Sequence, residues 1–162
     1  MKGREMKVVL LSVGKTDDEN FAPMIDIYKN RLSYYVSFEM EFVPDLKKAK
    51  KLSEKEQKNL EGEALLNHIQ QGDYVVLLDD KGKQHSSTEF ARFMEKKLYS
   101  VPKRLVFVVG GPYGFSEAVY ERANEKLSLS KMTFTHQMVR LVFVEQLYRA
   151  MTILNGEPYH HE

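Results

Sequence analysis

The chain has 162 residues, 43% of them hydrophobic and 11% aromatic, which is typical of a packed globular protein and excludes a disordered one. Its formal net charge of +1 excludes a strongly basic surface spread over the whole protein, so any polyanion would bind at a local patch or on an oligomer. The absence of cysteine excludes disulfide bonds and thiolate metal sites.

The length predicts one domain, residues 1–162, with residues 1–5 as an extension ahead of the first strand. The apolar stretches are too short for a signal peptide or a membrane span, so we expect a cytoplasmic protein without membrane contact. The most basic stretch contains Lys47, Lys48, Lys50 and Lys51. Acidic residues soon follow it, and we interpret it as a solvated loop.

In chain order, an apolar run at residues 6–13 predicts the first strand, and Gly14 closes it. Apolar spacings of three and four predict a helix over residues 17–34 that becomes regular near Pro23. Alternating apolar and polar residues predict a half-exposed strand at 36–42. Ser53 and Glu56 have the spacing of a capping box, so a helix should follow to about Ile69, with a thin apolar stripe that suits a surface position.

The second half of the chain repeats this alternation. Strands are predicted at residues 74–78, 105–109 and 126–129, and helices at 86–99, 116–123 and 137–154, where Ser86 and Glu89 form a second capping box. Five strands alternating with five helices predict an α/β fold with a mainly parallel sheet flanked by helices.

The fourth strand ends abruptly in Gly110, Gly111, Pro112, Tyr113 and Gly114. Adjacent glycines permit positive φ and close approach of another molecule, because they carry no Cβ. Ligands of open α/β sheets bind at the carboxyl ends of strands, where this loop would lie. Sequence reasoning alone leaves two interpretations open, a ligand-binding loop and a tight strand-to-helix connection.

The last predicted helix has apolar residues around most of its circumference. Such a helix is either central to a large core or shared with a partner. For a chain of this size we predict a homodimer contact through it. Glu145 and Arg149, four residues apart, are expected to form an ion pair on its surface.

Several familiar motifs are missing, among them the P-loop, the dinucleotide-binding fingerprint and the nucleophile elbow. The five histidines lack the spacing of a metal site, and we predict no bound metal. The unusual polar residues lie in the segment L-S-L-S-K-M-T-F-T-H-Q-M-V-R, residues 127–140. There, His136 stands at the start of the last helix, with Thr135 as its candidate cap.

Five segments occur in one order: the first strand ending V-G-K, the V-V-G-G-P-Y-G-F loop, the L-S-L-S-K-M-T-F-T-H-Q-M-V-R run, the E-Q-L-Y-R-A helix and the Y-H tail. Together they resemble the bacterial ribosomal RNA large-subunit methyltransferase H family, over residues 6–160. The resemblance implies a homodimeric α/β-knot (SPOUT) enzyme with a C-terminal trefoil knot. It also implies methylation of N3 of a pseudouridine in 23S rRNA, within the large subunit or the ribosome, with S-adenosylmethionine as methyl donor.

The resemblance also implies where the cofactor binds. The implied residues come from three segments and are Leu78, Gly110, Gly111, Gly114, Leu129, Ser130, Lys131, Met132, Thr133 and Phe134. We expect Gly111→Val to block the cofactor by placing a branched side chain in the loop.

Four candidates face the substrate: His136, Arg140, Tyr159 and His160. Either histidine is suited to accept or relay the N3 proton, Arg140 to hold a phosphate or the anionic base, and Tyr159 to stack on it. In a dimer, the tail is expected to complete the partner's site.

Two positions depart from the family pattern. Thr135 stands where a proline is expected, and the tail ends in His161 and Glu162 where a basic residue is usual. Two alternatives stay open, a ribosome- or RNA-binding protein that keeps the fold without catalysis, and a nucleotide-binding protein of flavodoxin type.

Overall fold

A computed structural model describes residues 6–46 and 51–161 of the chain. The predicted N-terminal extension and the lysines at positions 47, 48 and 50 lie outside these described residues. Within them, strands and helices alternate without exception: β1 (Lys7–Val13), α1 (Phe21–Leu32), β2 (Ser37–Val43), α2 (Glu54–His68), β3 (Tyr74–Gln84), α3 (Ser87–Ser100), β4 (Arg104–Val109), α4 (Glu117–Arg122), β5 (Glu125–Ser128) and α5 (His136–Leu154).

The strands form a single sheet in the order β2-β1-β4-β3-β5, and every neighbouring pair is parallel. The helices α1, α3 and α5 cover one face, and α2 and α4 cover the other. The prediction of an α/β fold with a mainly parallel sheet is therefore confirmed. Because all strands run the same way, their carboxyl ends meet at one edge, where ligands of such sheets bind.

The strand β3 is longer than predicted. We expected it to end at Leu78, but it continues to Gln84. Leu78 and Lys83 both pair with Leu127 of β5, so residues 79–82 form a bulge outside the hydrogen-bonded ladder. A Cβ on Gly82 would lie 2.6 Å from the backbone nitrogen of Leu127, so only glycine fits where the strand rejoins its neighbour. The prediction failed because charged residues in a bulge do not follow the alternation of a regular strand.

The helix α2 begins with the predicted capping box. The Ser53 side chain accepts a hydrogen bond from the Glu56 backbone N–H at 3.1 Å, and the Glu56 carboxylate accepts one from the Ser53 N–H at 3.1 Å. Its buried face was foreseen only in part. The predicted apolar stripe consists of Leu60, Ala64, Leu65 and Ile69, of which Leu65 is buried, but Glu61 and Gly62 are buried as well and Leu60 is 40% exposed.

The helix α5 lies between α1 and α3 and against the sheet, and none of its residues 139–154 is exposed. Its predicted cap is confirmed, because the Thr135 hydroxyl accepts a hydrogen bond from the Met138 N–H at 3.3 Å. The wide apolar arc of α5 is thus covered mainly within one chain. That arc no longer argues for a homodimer, which remains a prediction of the family resemblance.

Candidate functional site

A cavity of about 480 Å³ opens beside the bulge of β3 and the carboxyl ends of β4 and β5. This volume lies in the range of small-molecule sites. Nine of the ten residues predicted to hold the cofactor line it: Leu78, Gly110, Gly111, Gly114, Leu129, Ser130, Met132, Thr133 and Phe134. The tenth, Lys131, is exposed and does not line it. Three segments that are far apart in sequence therefore form one cavity.

The glycine loop is a compact turn. The Gly114 N–H donates a hydrogen bond to the Gly111 carbonyl at 3.2 Å, and Gly114 has a φ of 82°, which favours glycine. A Cβ on Gly110 would lie 3.0 Å from the Phe115 ring. A Cβ on Gly111 would lie 2.3 Å from Oε1 of the buried Glu61. The expected effect of Gly111→Val thus has a second cause, a clash beneath the loop in addition to obstruction of the cavity.

Acidic residues of the β3 bulge also line this cavity, and the sequence analysis had assigned them no role. Asp79 and Asp80 line the cavity together with Tyr120. Burial opposes the ionisation of Asp79, but hydrogen bonds from the Tyr120 hydroxyl and the Lys81 N–H outweigh it and lower its pKa. Asp79 is therefore a carboxylate at neutral pH. The available signal was two aspartates placed directly after a buried strand.

A second cavity, of about 640 Å³, lies at the carboxyl ends of β1 and β2. It shares Gly111, Pro112 and His136 with the first cavity. His136 was predicted as a catalytic residue, and it occupies the junction of the two cavities. The V-G-K segment at the end of β1, singled out only for its resemblance, supplies Val13, Gly14 and Lys15 to the wall of the second cavity.

Arg140 lines the second cavity but is itself 1% exposed. Its guanidinium donates to the carbonyls of Val13 at 3.0 Å, Gly14 at 2.9 Å and His136 at 3.0 Å. It also donates to the Thr16 hydroxyl at 3.0 Å. The guanidinium is therefore engaged by protein groups on several sides. The arrangement ties the end of β1 to the first turn of α5, and it suits a positioning role better than the predicted contact with phosphate.

The C-terminal tail packs against residues 145–149 of α5, beyond the middle of the helix. The Tyr159 hydroxyl donates to Glu145 at 2.7 Å, and an Arg149 nitrogen lies 3.1 Å from Nδ1 of His160. The predicted pair of Glu145 and Arg149 is confirmed at 2.8 Å. Glu145 lies nine residues after His136, about 14 Å along the helix at about 1.5 Å per residue. One chain therefore does not bring His136 and the tail into the same site.

Residues 6–46 and 51–161 bring together no group of three or more His, Cys, Asp or Glu side chains suited to a metal. In the same ranges, every helix is too short or too polar to cross a bilayer.

The fold and the cavities define an α/β protein with two adjoining cavities at the carboxyl edge of a parallel sheet, where ligands of such sheets bind. Residues 6–160 match the family described as predicted SPOUT methyltransferase, and the chain belongs to this family.

Similar proteins cover almost the whole chain. A protein of Parabacteroides distasonis named ribosomal RNA large subunit methyltransferase H is 64% identical over 157 residues, which are 97% of this chain and 100% of that protein. Proteins of the same name from Bacteroides fragilis and Christiangramia forsetii are each 57% identical, over 97% and 96% of this chain and 100% and 99% of their own length.

Proposed function

We propose that this protein is a methyltransferase that uses S-adenosylmethionine to methylate ribosomal RNA, at N3 of a pseudouridine in 23S rRNA. The observation that carries the proposal is the single cavity formed by Leu78, the glycine loop and residues 129–134. Membership of the SPOUT family and the names of relatives up to 64% identical support the reaction class and the RNA substrate. The choice of pseudouridine N3 as the methylated atom rests on the resemblance of the sequence motifs. Because ribosomal RNA is the proposed substrate, we also propose that the protein acts in the cytoplasm.

The residues of the first cavity fit this cofactor. Apolar side chains of Leu78, Leu129 and Phe134 suit the adenine ring, and backbone groups of the glycine loop suit its polar edge. The carboxylates of Asp79 and Asp80 complement the positive sulfonium and ammonium groups. When bound, S-adenosylmethionine supplies an activated methyl group, so the reaction needs neither a protein nucleophile nor a metal.

The protein's part is then to position the target nitrogen and to take its proton. His136 lies at the junction of the two cavities, which is where a general base would have to stand. Arg140 donates to the His136 carbonyl at 3.0 Å and to the end of β1, so it fixes both sides of this junction. We assign to His136 the proton transfer and to Arg140 the positioning.

We further propose that the protein acts as a homodimer in which the tail reaches the partner's site. Tyr159 and His160 pack near Glu145 and Arg149, about two and a half helical turns or more from His136, so they do not share its site within one chain. Met132 and Met138, beside the cavities, are 79% and 37% exposed and offer an apolar surface to a second subunit.

Two measurements distinguish the proposed methyltransferase from the two alternative functions: cofactor binding and the product formed on the RNA. A non-catalytic ribosome-binding protein would bind ribosomes without methyl transfer, and a flavodoxin-type protein would bind a nucleotide phosphate. The glycine loop offers no serine, threonine or lysine to a phosphate, which disfavours the latter. The test is calorimetry with S-adenosylmethionine, followed by mass spectrometry of 23S rRNA after incubation of ribosomes with cofactor and protein. Absence of cofactor binding, or of an added methyl group, would contradict the proposal.

A further inference from the structure

The second cavity has a chemistry that differs from that of the cofactor cavity. Two carboxylates, Asp17 and Asp45, line it, and its buried cation, Arg140, is already engaged by backbone carbonyls. Carboxylates repel phosphate and other anions but accept hydrogen bonds from N–H groups. The interior of this cavity therefore favours a neutral ligand that carries N–H donors.

One rim of the cavity presents an exposed aromatic ring. Phe42, at the end of β2, is 43% exposed, and the Lys15 ammonium lies 5.5 Å from the centre of its ring. The ammonium stands over one face of the ring, which leaves the other face for stacking, and an exposed ring together with a cation is the combination with which proteins bind unstacked bases and the adjacent phosphate backbone. The rim thus adds a flat stacking surface to the hydrogen-bonding interior.

Gln137 supplies an acceptor that the fold leaves unused. Its amide nitrogen donates to the Lys15 carbonyl at 3.2 Å, whereas its amide oxygen is buried and has no hydrogen-bond partner among the described residues. A buried acceptor without a partner is costly, and a small shift of the Gln137 side chain toward the cavity that it lines would let an entering donor relieve that cost. Gln137 follows His136 directly, so this acceptor belongs to the same turn as the predicted base.

We propose that the second cavity receives the target nucleobase, turned out of the RNA, with Phe42 as its stacking surface and Gln137 as an acceptor for one of its N–H groups. The inference rests on the proposed function and extends it to the place of the substrate. Enzymes that modify bases must unstack them first, and a pocket for the flipped base is the usual solution. His136 then stands between the base and the methyl donor.

The experiment measures methyl transfer to ribosomes isolated from cells that lack the protein, with Phe42→Ala, Phe42→Tyr and a control. Leu60→Ala is the matched control, since Leu60 is 40% exposed and lines neither cavity. We expect Phe42→Ala to raise KM for ribosomes about tenfold or more, as loss of a stacking contact does. Phe42→Tyr should stay near the parent value, and the affinity for S-adenosylmethionine should be unchanged in all variants.

The outcomes separate this inference from the proposed function. If the parent protein transfers no methyl group, the proposed function fails. If the parent is active and Phe42→Ala has the same KM as Leu60→Ala, the base does not stack on Phe42 and the inference is overturned. A parallel loss of cofactor affinity in Phe42→Ala would also overturn it, because the cavity would then hold part of the cofactor.

Discussion

The carboxyl group of Glu61 lies directly beneath Gly111, so close that a Cβ on the glycine would be 2.3 Å from Oε1. Glu61 is 2% exposed, its Oε2 accepts a hydrogen bond from Gln57 at 3.1 Å, and Oε1 has no partner among the described residues. Next to it, a Cβ on Gly62 would lie 2.3 Å from the Ser116 hydroxyl. The helix α2 thus packs against the glycine loop at Gly111 and against the first turn of α4 at Ser116.

The first prediction concerns this contact. Gly111→Ala should weaken binding of S-adenosylmethionine at least about tenfold and destabilise the protein by about 1–3 kcal/mol, as overpacking does. In a Glu61→Ala background the carboxyl is gone, so the same glycine substitution should cost much less. Calorimetry and thermal unfolding of the four proteins complete a double-mutant cycle. If Gly111→Ala reduced stability and cofactor affinity equally in both backgrounds, the Glu61 carboxyl would not be the group that excludes a Cβ at Gly111.

The second prediction concerns pH. Burial raises the pKa of Glu61 above its ordinary value of 4.5. The Glu61 carboxyl therefore binds its proton more tightly in the folded state than in the unfolded state. The stability that this protonation contributes is lost as pH rises from 4.5 through the raised pKa.

Glu61→Gln replaces the ionisable carboxyl group with a neutral amide of nearly the same size and shape. We expect its Tm relative to the parent protein to increase between about pH 5 and pH 8, measured by thermal unfolding in buffers of equal ionic strength. Glu63→Gln on the exposed side of α2 is the matched control and should show no such trend. A Tm difference that stays constant over this range would contradict the raised pKa.

The third prediction concerns His136. His136→Ala should lower kcat for methyl transfer at least about a hundredfold, the usual contribution of a general base. Its affinity for S-adenosylmethionine should change only a few-fold, since His136 is one of many side chains around that cavity. Single-turnover transfer of labelled methyl groups measures the first quantity, and calorimetry the second. An unchanged kcat in His136→Ala would show that His136 is not the general base.

The fourth prediction tests whether the tail acts on the partner. A chain ending at Pro158 and the His136→Ala variant should each be inactive as homodimers while binding cofactor. In a mixed dimer of the two, one site would combine an intact His136 with an intact tail if the tail crosses to the partner. We then expect about half the parent activity.

If each tail instead serves its own chain, both sites of the mixed dimer carry a defect and activity stays absent. Co-purification with two different affinity tags isolates the mixed species, and ribosome methylation measures it. The parent protein carrying both tags is the reference for full activity.

Local features of the fold could be predicted from sequence. The capping boxes at Ser53 and Ser86 and the cap at Thr135 depend on residues three positions apart, so short spacing determines them. The β3 bulge could not be predicted, because residues 79–82 leave the ladder only through packing against β5. The buried position of Glu61 also depends on packing between distant segments. It was not predicted because a charged residue on a polar helix is usually exposed.

For the candidate site, the amino-acid sequence was enough to establish the motifs and their order and, through their resemblance to a known family, to name nine residues that line one cavity. Three-dimensional packing was needed to show that β1 engages Arg140, that the tail packs away from His136, and that a second cavity adjoins the first. The cause of this difference is distance along the chain. Periodicity and capping act between near neighbours, whereas these contacts join residues up to 127 positions apart, and packing alone brings those together.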